Sequence, residues 1–316
     1  MNQPKFVTIR ELGPREGFQT LEKVVSTKEK LELINILSET GVREIEVASF
    51  VKAEKVPQMA DAEEVVKGLN LRKGVIYKGL YLNRKGYERV VSSAKLSKQG
   101  WLNVATSATF LRHNANITLS EVLADIPEWQ KVFSANGESC YGVMLSTAFG
   151  CNYEGEVPAE RALSVLSTVY EKIASTGNAF KEVCLADTMG WGTPHRVKSL
   201  IDMVRSKFPG LTVSLHLHDT RGTGMANVYA GLESGIEVFE CSVAGLGGCP
   251  FAKGAAGNVC SEDVAFMCEE MGIKTGVNLK TYIEAAKLAE QLTGSYLPGK
   301  LYKTAQKVDV LTLRKS

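Results

Sequence analysis

The feature that most constrains the fold of this chain is the alternation of short apolar runs with longer helical patterns along almost its whole length. The short runs are rich in β-branched residues and too apolar for strands with one wet face, which is typical of a parallel sheet covered on both sides. Eight runs are predicted as strands, at residues 6–12, 44–47, 75–80, 101–105, 140–146, 182–186, 212–217 and 238–243. About eight strand–helix units without a linker predict one closed (β/α)8 barrel, a TIM barrel.

The helical segments between these runs have recognisable starts. Ser26 and Glu29 form a capping-box pattern, and Pro158 and Pro194 lie near the first turns of two later helices. A doubly wound open sheet is the alternative fold, but no G-x-G-x-x-G follows the first strand and no G-x-x-x-x-G-K-[ST] occurs. We predict a single domain over residues 1–316, with the barrel at 6–275 and additional C-terminal helices at 276–316.

Charge, hydropathy and cysteine usage exclude several protein classes. The 316 residues include 37 Lys+Arg and 35 Asp+Glu, a formal charge of +2, whereas nucleic-acid binders usually carry a strongly basic surface. No apolar run approaches the roughly 18 residues of a membrane span, and the first residues show no targeting pattern. The seven cysteines include no C-x-x-C pair, which argues against a disulfide framework. We expect a cytoplasmic protein that binds neither nucleic acid nor membrane.

Charged residues follow the first predicted strand, at the end where barrel enzymes carry their catalytic groups. Arg15 and Glu16 lie in a turn bracketed by Gly13 and Gly17. They are either a solvent-exposed ion pair of little energetic value or part of a site. Glu46 faces the barrel interior from the second strand, because side chains alternate along a strand. A buried carboxylate needs a partner, and we predict that Arg15 provides it.

A pair of histidines ends the seventh predicted strand. His216 and His218 are two residues apart, so their imidazoles project from one face while Leu215 and Leu217 face the helices. Two adjacent imidazoles make half of a metal site. The alternative is a pair of hydrogen-bonded core histidines, although the chain has only four histidines from which to form one by chance.

A glycine-rich segment, residues 245–258, follows the eighth predicted strand. Glycines at this density cost backbone entropy, which makes sense where a loop approaches a ligand or moves as a lid; an anion cradle is the rival interpretation. Cys249 within it is either a functional thiol or inert packing, and Asn258 and Glu262 lie at the far end. Asp187, after the sixth strand, either orients a ligand or caps the next turn.

These residues assemble into a candidate metal site. Glu16, His216, His218 and the amide oxygen of Asn258 would surround one divalent cation. Oxygen and imidazole ligands, with water completing the shell, suit Mg²⁺ or Mn²⁺ and do not exclude Zn²⁺ or Fe²⁺. The sequence therefore predicts a metal-dependent site at the carboxyl ends of the strands.

The motifs around these residues resemble the 3-hydroxy-3-methylglutaryl-CoA lyase family of metal-dependent TIM-barrel lyases. The resemblance is carried by GPREG at 13–17, IEVASF at 45–50, VPQM at 56–59, LHDT at 217–220 and GLGGCP at 245–250. It extends from residue 7 to about residue 292. The cysteine loop is its specific part, because the condensing synthases of the superfamily share the H-x-H pair but lack Gly-Gly-Cys-Pro.

The resemblance implies a role for each matching residue. The metal ligands are Glu16, His216, His218 and Asn258, and the catalytic residues are Arg15 on the thioester oxygen, Glu46 in the polar network beside it, Cys249 as proton donor and His216 as base. Ser49, Cys184 and Thr188 line the substrate pocket, with Asp187, Asp219 and Glu262 in an outer shell. Two positions depart from the family pattern: Glu16 replaces an aspartate, and Cys184 replaces a serine.

The reaction implied by the resemblance is the retro-Claisen cleavage of 3-hydroxy-3-methylglutaryl-CoA to acetyl-CoA and acetoacetate. The two departures leave the acyl group open, so citramalyl-CoA and longer 3-alkyl-3-hydroxyglutaryl-CoA are alternative substrates. Two more hypotheses are the same chemistry in the condensing direction and a barrel that binds metal or thiol without catalysis. We further expect a homodimer that acts on an acyl-CoA substrate.

Overall fold

Eight parallel strands form one sheet in the computed structural model, which describes residues 3–247 and 256–305. The strands are β1 (Thr8–Glu11), β2 (Glu44–Ser49), β3 (Ile76–Leu80), β4 (Gly100–Ala105), β5 (Cys140–Ser146), β6 (Glu182–Ala186), β7 (Thr212–His216) and β8 (Val238–Cys241). Their spatial order is β3-β2-β1-β8-β7-β6-β5-β4: strands that follow one another in sequence are paired except β3 and β4, which end the order, and β8 pairs with β1. This order confirms the predicted (β/α)8 barrel and excludes a doubly wound sheet.

Helices surround the strands and continue beyond the last one. They are α1 (Thr27–Glu39), α2 (Ala62–Gly68), α3 (Arg84–Val91), α4 (Ala108–Ala115), α5 (Leu119–Ala135), α6 (Ala159–Ala174), α7 (Pro194–Lys207), α8 (Gly224–Glu233), α9 (Ser261–Glu270), α10 (Leu279–Thr293) and α11 (Leu301–Thr304). The predicted capping box is present at α1, where Ser26 Oγ accepts from Glu29 N at 3.3 Å and Glu29 accepts from Ser26 N at 2.9 Å. Within the described residues, no helix combines the length and apolar character needed to cross a membrane.

The main apolar core lies between the strands and the helices. Outward-facing strand residues such as Val183, Leu185 and Leu215 are fully buried there. Helix α10 belongs to the predicted C-terminal extension and packs against α1 and α9. Its Tyr282 donates a hydrogen bond to Glu11 at the end of β1. The extension therefore forms part of the wall that supports the first strand.

The barrel has one seam, between β3 and β4. In the described residues, these two strands share no hydrogen-bonded ladder, whereas the seven other neighbouring pairs do. Tyr81 bridges the seam instead: its hydroxyl accepts from Trp101 N at 2.6 Å, and its carbonyl accepts from Asn103 Nδ2 at 3.3 Å. A cleft of about 540 Å³ opens beside this seam and leads to the carboxyl ends of the strands.

The inside of the barrel carries charged side chains rather than an apolar filling. Arg10 pairs with both carboxylate oxygens of Glu182 at 2.5 and 2.9 Å and with Glu44 at 3.1 Å. Lys78 lies 2.6 Å from Glu44, and Ser214 donates to Glu182 at 2.6 Å. We call Arg10, Glu44, Lys78 and Glu182 the lower network. Burial alone would lower the pKa of Arg10, but Glu182 and Glu44 raise it above its usual value.

Candidate active site

The turn after β1 carries the first two site residues. It is a π-helical turn, Gly13–Gly17, in which the carbonyl of Leu12 accepts from Arg15 N at 3.0 Å and Glu16 N at 2.8 Å. A side chain at Gly17 would overlap the Leu246 side chain, so the turn packs closely against the segment after β8. This close packing fixes the backbone from which Arg15 and Glu16 extend.

Arg15 is held by two carboxylates. Its Nη2 lies 2.9 Å from Glu16 Oε2, and its Nε donates to Glu46 Oε1. The side chain of Arg15 is only 11% exposed, so the predicted pairing with Glu46 is present and the exposed ion pair is not. Burial raises the pKa of Glu46, and the charge of Arg15 opposes that rise. Arg15 is thus a fixed cation at the mouth of the barrel.

Two imidazoles and one carboxylate converge beside Arg15. His216 Nε2 and His218 Nε2 are 3.0 Å apart, and each lies 3.5 Å from Glu16 Oε1. Strand β7 ends at His216, and His218 lies beyond it in a bridge with Asn258. Ligands about 2.1 Å from an ion and at right angles to one another are about 3.0 Å apart. The spacing of the three groups therefore fits one divalent cation.

Asn258 supplies a fourth polar group. Its Nδ2 donates to Glu16 Oε1 at 3.1 Å, and its Oδ1 is buried without a hydrogen-bond partner in the described residues. Rotation of the side-chain amide by 180° exchanges Oδ1 and Nδ2, which would direct the oxygen toward a bound cation. The unsatisfied oxygen makes Asn258 a suitable fourth ligand. We call Glu16, His216, His218 and Asn258 the metal cluster.

The charge around the metal cluster also favours a cation. Burial opposes ionisation of Glu16, but Arg15 and the two histidines hold its pKa well below the usual value. Eight charged side chains of the barrel interior form ion pairs or lie against His216: Glu16, Glu44, Glu46, Glu182, Glu240, Arg10, Arg15 and Lys78. With neutral histidines, their formal charge is −2. This negative balance favours a bound cation.

The predicted pocket residues lie at different depths. Ser49 ends β2, and its hydroxyl is buried without a hydrogen-bond partner in the described part of the chain. Thr188 is half-buried and its Oγ1 accepts from Thr147 N at 2.9 Å, so its proton remains available to donate. Cys184 is fully buried inside the barrel, in register with Ser214, and burial raises the pKa of its thiol.

The three predicted outer-shell carboxylates mainly bind backbone N–H groups around the site. Asp187 accepts from Trp191 N at 2.7 Å and Gly192 N at 2.9 Å, so it caps the turn after β6. Asp219 accepts from Gly224 N at 2.7 Å, at the first residue of α8. Glu262 accepts from Ala244 N at 2.9 Å, in the turn Val243–Gly245 that leads to the glycine-rich segment. Cys249, with residues 248–255, lies outside the described residues.

Sequence reasoning missed Glu240 and a cluster of hydroxyls. Glu240 lies on β8 with its Oε2 3.2 Å from His216 Nδ1. The signal that could have found it is the one used for Glu46, an acidic residue on the inward face of a strand. The hydroxyls of Thr106 and Thr147 are 3.0 Å apart, and Thr147 has a left-handed φ of +53°. Only the folded chain brings these two together.

The cleft beside the β3–β4 seam adjoins this site. It reaches Ser146, the last residue of β5, and Gln19, just beyond the turn that carries Glu16. Its walls include the apolar side chains of Trp101, Phe110, Leu111, Val122 and Trp129. Two exposed lysines, Lys52 and Lys55, also line it. An elongated ligand with apolar and anionic parts fits such a cleft.

Comparison with known proteins gives consistent matches. The family described as HMGL-like matches residues 7–289. A hydroxymethylglutaryl-CoA lyase of Bacillus subtilis is 37% identical over 300 residues, covering 95% of this chain and 97% of that protein. The human cytoplasmic 3-hydroxy-3-methylglutaryl-CoA lyase is 39% identical over 284 residues, which cover 89% of this chain and 74% of that protein.

Solved structures give the same result for the fold. The crystal structure of the Bacillus subtilis HMG-CoA lyase has a TM-score of 0.89 at 36% identity, covering 97% of this chain and 100% of that one. An HMG-CoA lyase of Acinetobacter baumannii, in complex with coenzyme A and 3-methylmalate, has a TM-score of 0.85 at 35% identity, covering 97% of each chain.

Proposed function

This chain belongs to the HMGL-like family as a carbon–carbon lyase of the hydroxymethylglutaryl-CoA lyase type, and we propose that it cleaves 3-hydroxy-3-methylglutaryl-CoA to acetyl-CoA and acetoacetate with the help of a divalent cation. The observation that carries this proposal is the convergence of two imidazoles and a carboxylate beside a buried arginine, at the carboxyl ends of barrel strands.

The metal cluster fits a divalent ion by its chemistry. Glu16, His216, His218 and the amide oxygen of Asn258 would hold it, and this set of two oxygens and two imidazole nitrogens, with water completing the shell, suits Mg²⁺ or Mn²⁺, with Zn²⁺ as the alternative. Such an ion supplies a Lewis acid that lowers the pKa of the substrate's tertiary hydroxyl.

Arg15 would stabilise the charge that develops on the thioester oxygen. Cleavage of the bond between C2 and C3 leaves an enolate of acetyl-CoA, whose negative oxygen exists only along the reaction path. Glu46 and Glu16 hold the guanidinium in place, so little reorganisation is needed when that charge appears.

The predicted base role of His216 competes with its role as a ligand. Its Nε2 faces Glu16 and His218, and its Nδ1 faces Glu240. A ring with both nitrogens engaged has no lone pair left for the hydroxyl proton. We therefore assign His216 to metal binding and leave its action as base a prediction from the sequence.

Cys249 remains the proposed proton donor to the enolate carbon. The turn before its loop is held by two buried carboxylates: Glu11 accepts from Val243 N at 2.9 Å, and Glu262 accepts from Ala244 N. These bonds fix the point at which the loop leaves the barrel. The glycines of the segment that follows are the basis, in the sequence alone, for expecting it to exclude water from the substrate.

The cleft beside the seam is the proposed site for the coenzyme A portion. The thioester lies at Arg15, the apolar walls suit the pantetheine chain, and Lys52 and Lys55 offer positive charge to the phosphates. The double variant Lys52→Glu/Lys55→Glu is expected to raise KM and leave kcat nearly unchanged. Lys67→Glu/Lys73→Glu, a double change of the same charge at exposed positions outside the lining of this cleft, is the control, and an equal rise in KM for both would refute the assignment.

One assay tests the proposed reaction. Acetyl-CoA release from 3-hydroxy-3-methylglutaryl-CoA is measured for chelator-treated protein, with and without added Mg²⁺ or Mn²⁺. We expect activity only with the cation. Full activity of the chelated protein would refute the metal dependence, and no activity under any condition would refute the substrate. A panel containing citramalyl-CoA and 3-alkyl-3-hydroxyglutaryl-CoA then ranks the acyl groups by kcat/KM.

A further inference from the structure

Glu240 has a place in the barrel that no predicted role explains. On β8 it lies in register with Arg10 on β1 and with His216 on β7. Its side chain is only 10% exposed and forms part of the wall of a small cavity inside the barrel. A carboxylate buried this deeply is costly unless it has a partner.

The partner of Glu240 is His216, through the ring nitrogen Nδ1 that faces away from Glu16 and His218. Glu240 Oε2 lies 3.2 Å from His216 Nδ1, a buried nitrogen that makes no hydrogen bond of regular geometry in the described residues, so Glu240 is the acceptor placed to take its proton. The opposite nitrogen, Nε2, faces Glu16 and His218. The imidazole of His216 therefore lies between the other residues of the metal cluster and Glu240.

A neutral imidazole carries one proton, and the acceptor beside the ring decides which nitrogen holds it. An acceptor at Nδ1 favours the Nδ1–H form and leaves the Nε2 lone pair for an ion. We infer that Glu240 is a positioning residue that fixes the orientation and tautomer of His216 for metal binding. This inference rests on the metal site of the proposed function and adds a residue to it.

A second buried carboxylate of the same interior provides the matched control. Glu182 is more deeply buried than Glu240, but its oxygens are taken by Arg10 and Ser214. It has no described contact with either histidine of the metal cluster. Removing its charge therefore changes the interior electrostatics and the stability without touching the His216 ring.

Calorimetric titration of the metal-stripped full chain with Mn²⁺ tests the inference. We expect Glu240→Gln to weaken Mn²⁺ binding by about 10-fold and Glu240→Ala by up to about 100-fold, the range for residues that orient metal ligands. Glu182→Gln is expected to bind Mn²⁺ within about twofold of wild type, because it leaves the metal cluster intact. Thermal unfolding confirms that each variant is folded.

Nitrogen-15 NMR of the metal-free protein adds a readout that needs no metal: the ring nitrogen of His216 that carries the proton. We expect the His216 proton on Nδ1 in the wild type and a shift toward Nε2 in Glu240→Ala. An Nε2–H tautomer in the wild type, or a Glu240→Ala variant that binds Mn²⁺ within twofold of wild type, would overturn the positioning role alone. A wild type that binds no divalent ion would instead overturn the metal site of the proposed function.

Discussion

The barrel interior holds two groups of buried polar side chains, the lower network and the metal cluster, which differ in how their charges and lone pairs are matched. In the lower network, Arg10 and Lys78 neutralise the carboxylates of Glu44 and Glu182 through direct contacts of 2.5–3.1 Å. In the metal cluster, the lone pairs of a carboxylate and two imidazoles face one another, and the neighbouring cation, Arg15, is shared with Glu46.

The difference shows what distinguishes a structural set of buried charges from a candidate site. A buried ion-pair network whose members are all partnered is stable by itself and offers little to a ligand. A carboxylate and two imidazoles whose lone pairs converge on one point offer a ready set of ligands to a cation. Convergence of ligand atoms on one point, rather than burial, marks the functional end of this barrel.

The largest effect is expected from His218→Ala. The variant removes one of two imidazoles from the metal cluster, so divalent-ion binding and lyase activity should both be abolished. Mn²⁺ affinity and acetyl-CoA release measure the two effects. His195→Ala, which changes an exposed histidine in the first turn of α7, is the control and should show near-normal turnover. Normal metal binding by His218→Ala would show that the metal cluster, like the lower network, is only a structural set of buried polar groups.

Cys249→Ser should lower kcat by about 10²–10⁴-fold, because a hydroxyl is a much weaker acid than a thiol. Metal affinity and KM should change little, since neither the ion nor the ground-state substrate depends on the thiol. Steady-state kinetics and Mn²⁺ titration separate these effects. Cys260→Ser is the control, because Cys260 is buried against the backbone at Gly245. A Cys249→Ser variant with wild-type turnover would remove the proton-donor role.

The lower network should respond in stability rather than in function. Glu182→Ala leaves Arg10 without its bidentate partner, and breaking one side of a buried ion pair costs about 3–5 kcal/mol. Chemical denaturation measures the loss, and Mn²⁺ affinity of the folded variant should stay close to that of wild type. A variant of unchanged stability but weakened metal binding would reverse the roles given to the two groups.

Glu154, a carboxylate outside the barrel whose two oxygens both have partners, should make a smaller, pH-dependent contribution to the free energy of unfolding. Burial alone would raise the pKa of Glu154, but bonds from Thr109 N, Ser107 Oγ and Arg161 lower it to about 2. Since this folded value lies below the unfolded one, the stabilisation is present above about pH 4.5 and is lost as the pH falls toward 2.

Glu154→Gln should therefore cost about 1–2 kcal/mol at pH 7, and its unfolding temperature should fall less than that of wild type between pH 5 and pH 3. Glu160→Gln is the control, because this nearby carboxylate has no such set of bonds within the described part of the chain. If the unfolding temperatures of wild type and Glu154→Gln fell equally between pH 5 and pH 3, the role of these bonds would be contradicted.

The sequence predicted the fold well because the barrel depends on local patterns. The strands at 140–146 and 182–186 coincide with β5 and β6, and the capping box at Ser26 is present. The predicted strand at 238–243 ends earlier, at Cys241, because the chain turns there to be held by Glu11. Strand ends depend on such tertiary bonds, which the local pattern does not contain.

The candidate site was predictable only in part. The spacing of His216 and His218 and the inward face of Glu46 follow from the period of a strand, and the structure brings all three near Arg15. The lower network and the contact between Glu240 and His216 join residues far apart in sequence. They depend on the register of the closed barrel, which single strands do not specify.

Electron–nuclear double resonance (ENDOR) spectroscopy of Mn²⁺ added to the metal-stripped protein decides whether the metal cluster is a metal site. We expect one ion per chain with two imidazole nitrogens in its coordination shell, and one nitrogen fewer for any ion that His218→Ala retains at high Mn²⁺ concentration. An ion bound without nitrogen ligands, or no bound ion at all, would contradict the assignment of Glu16, His216 and His218 as ligands.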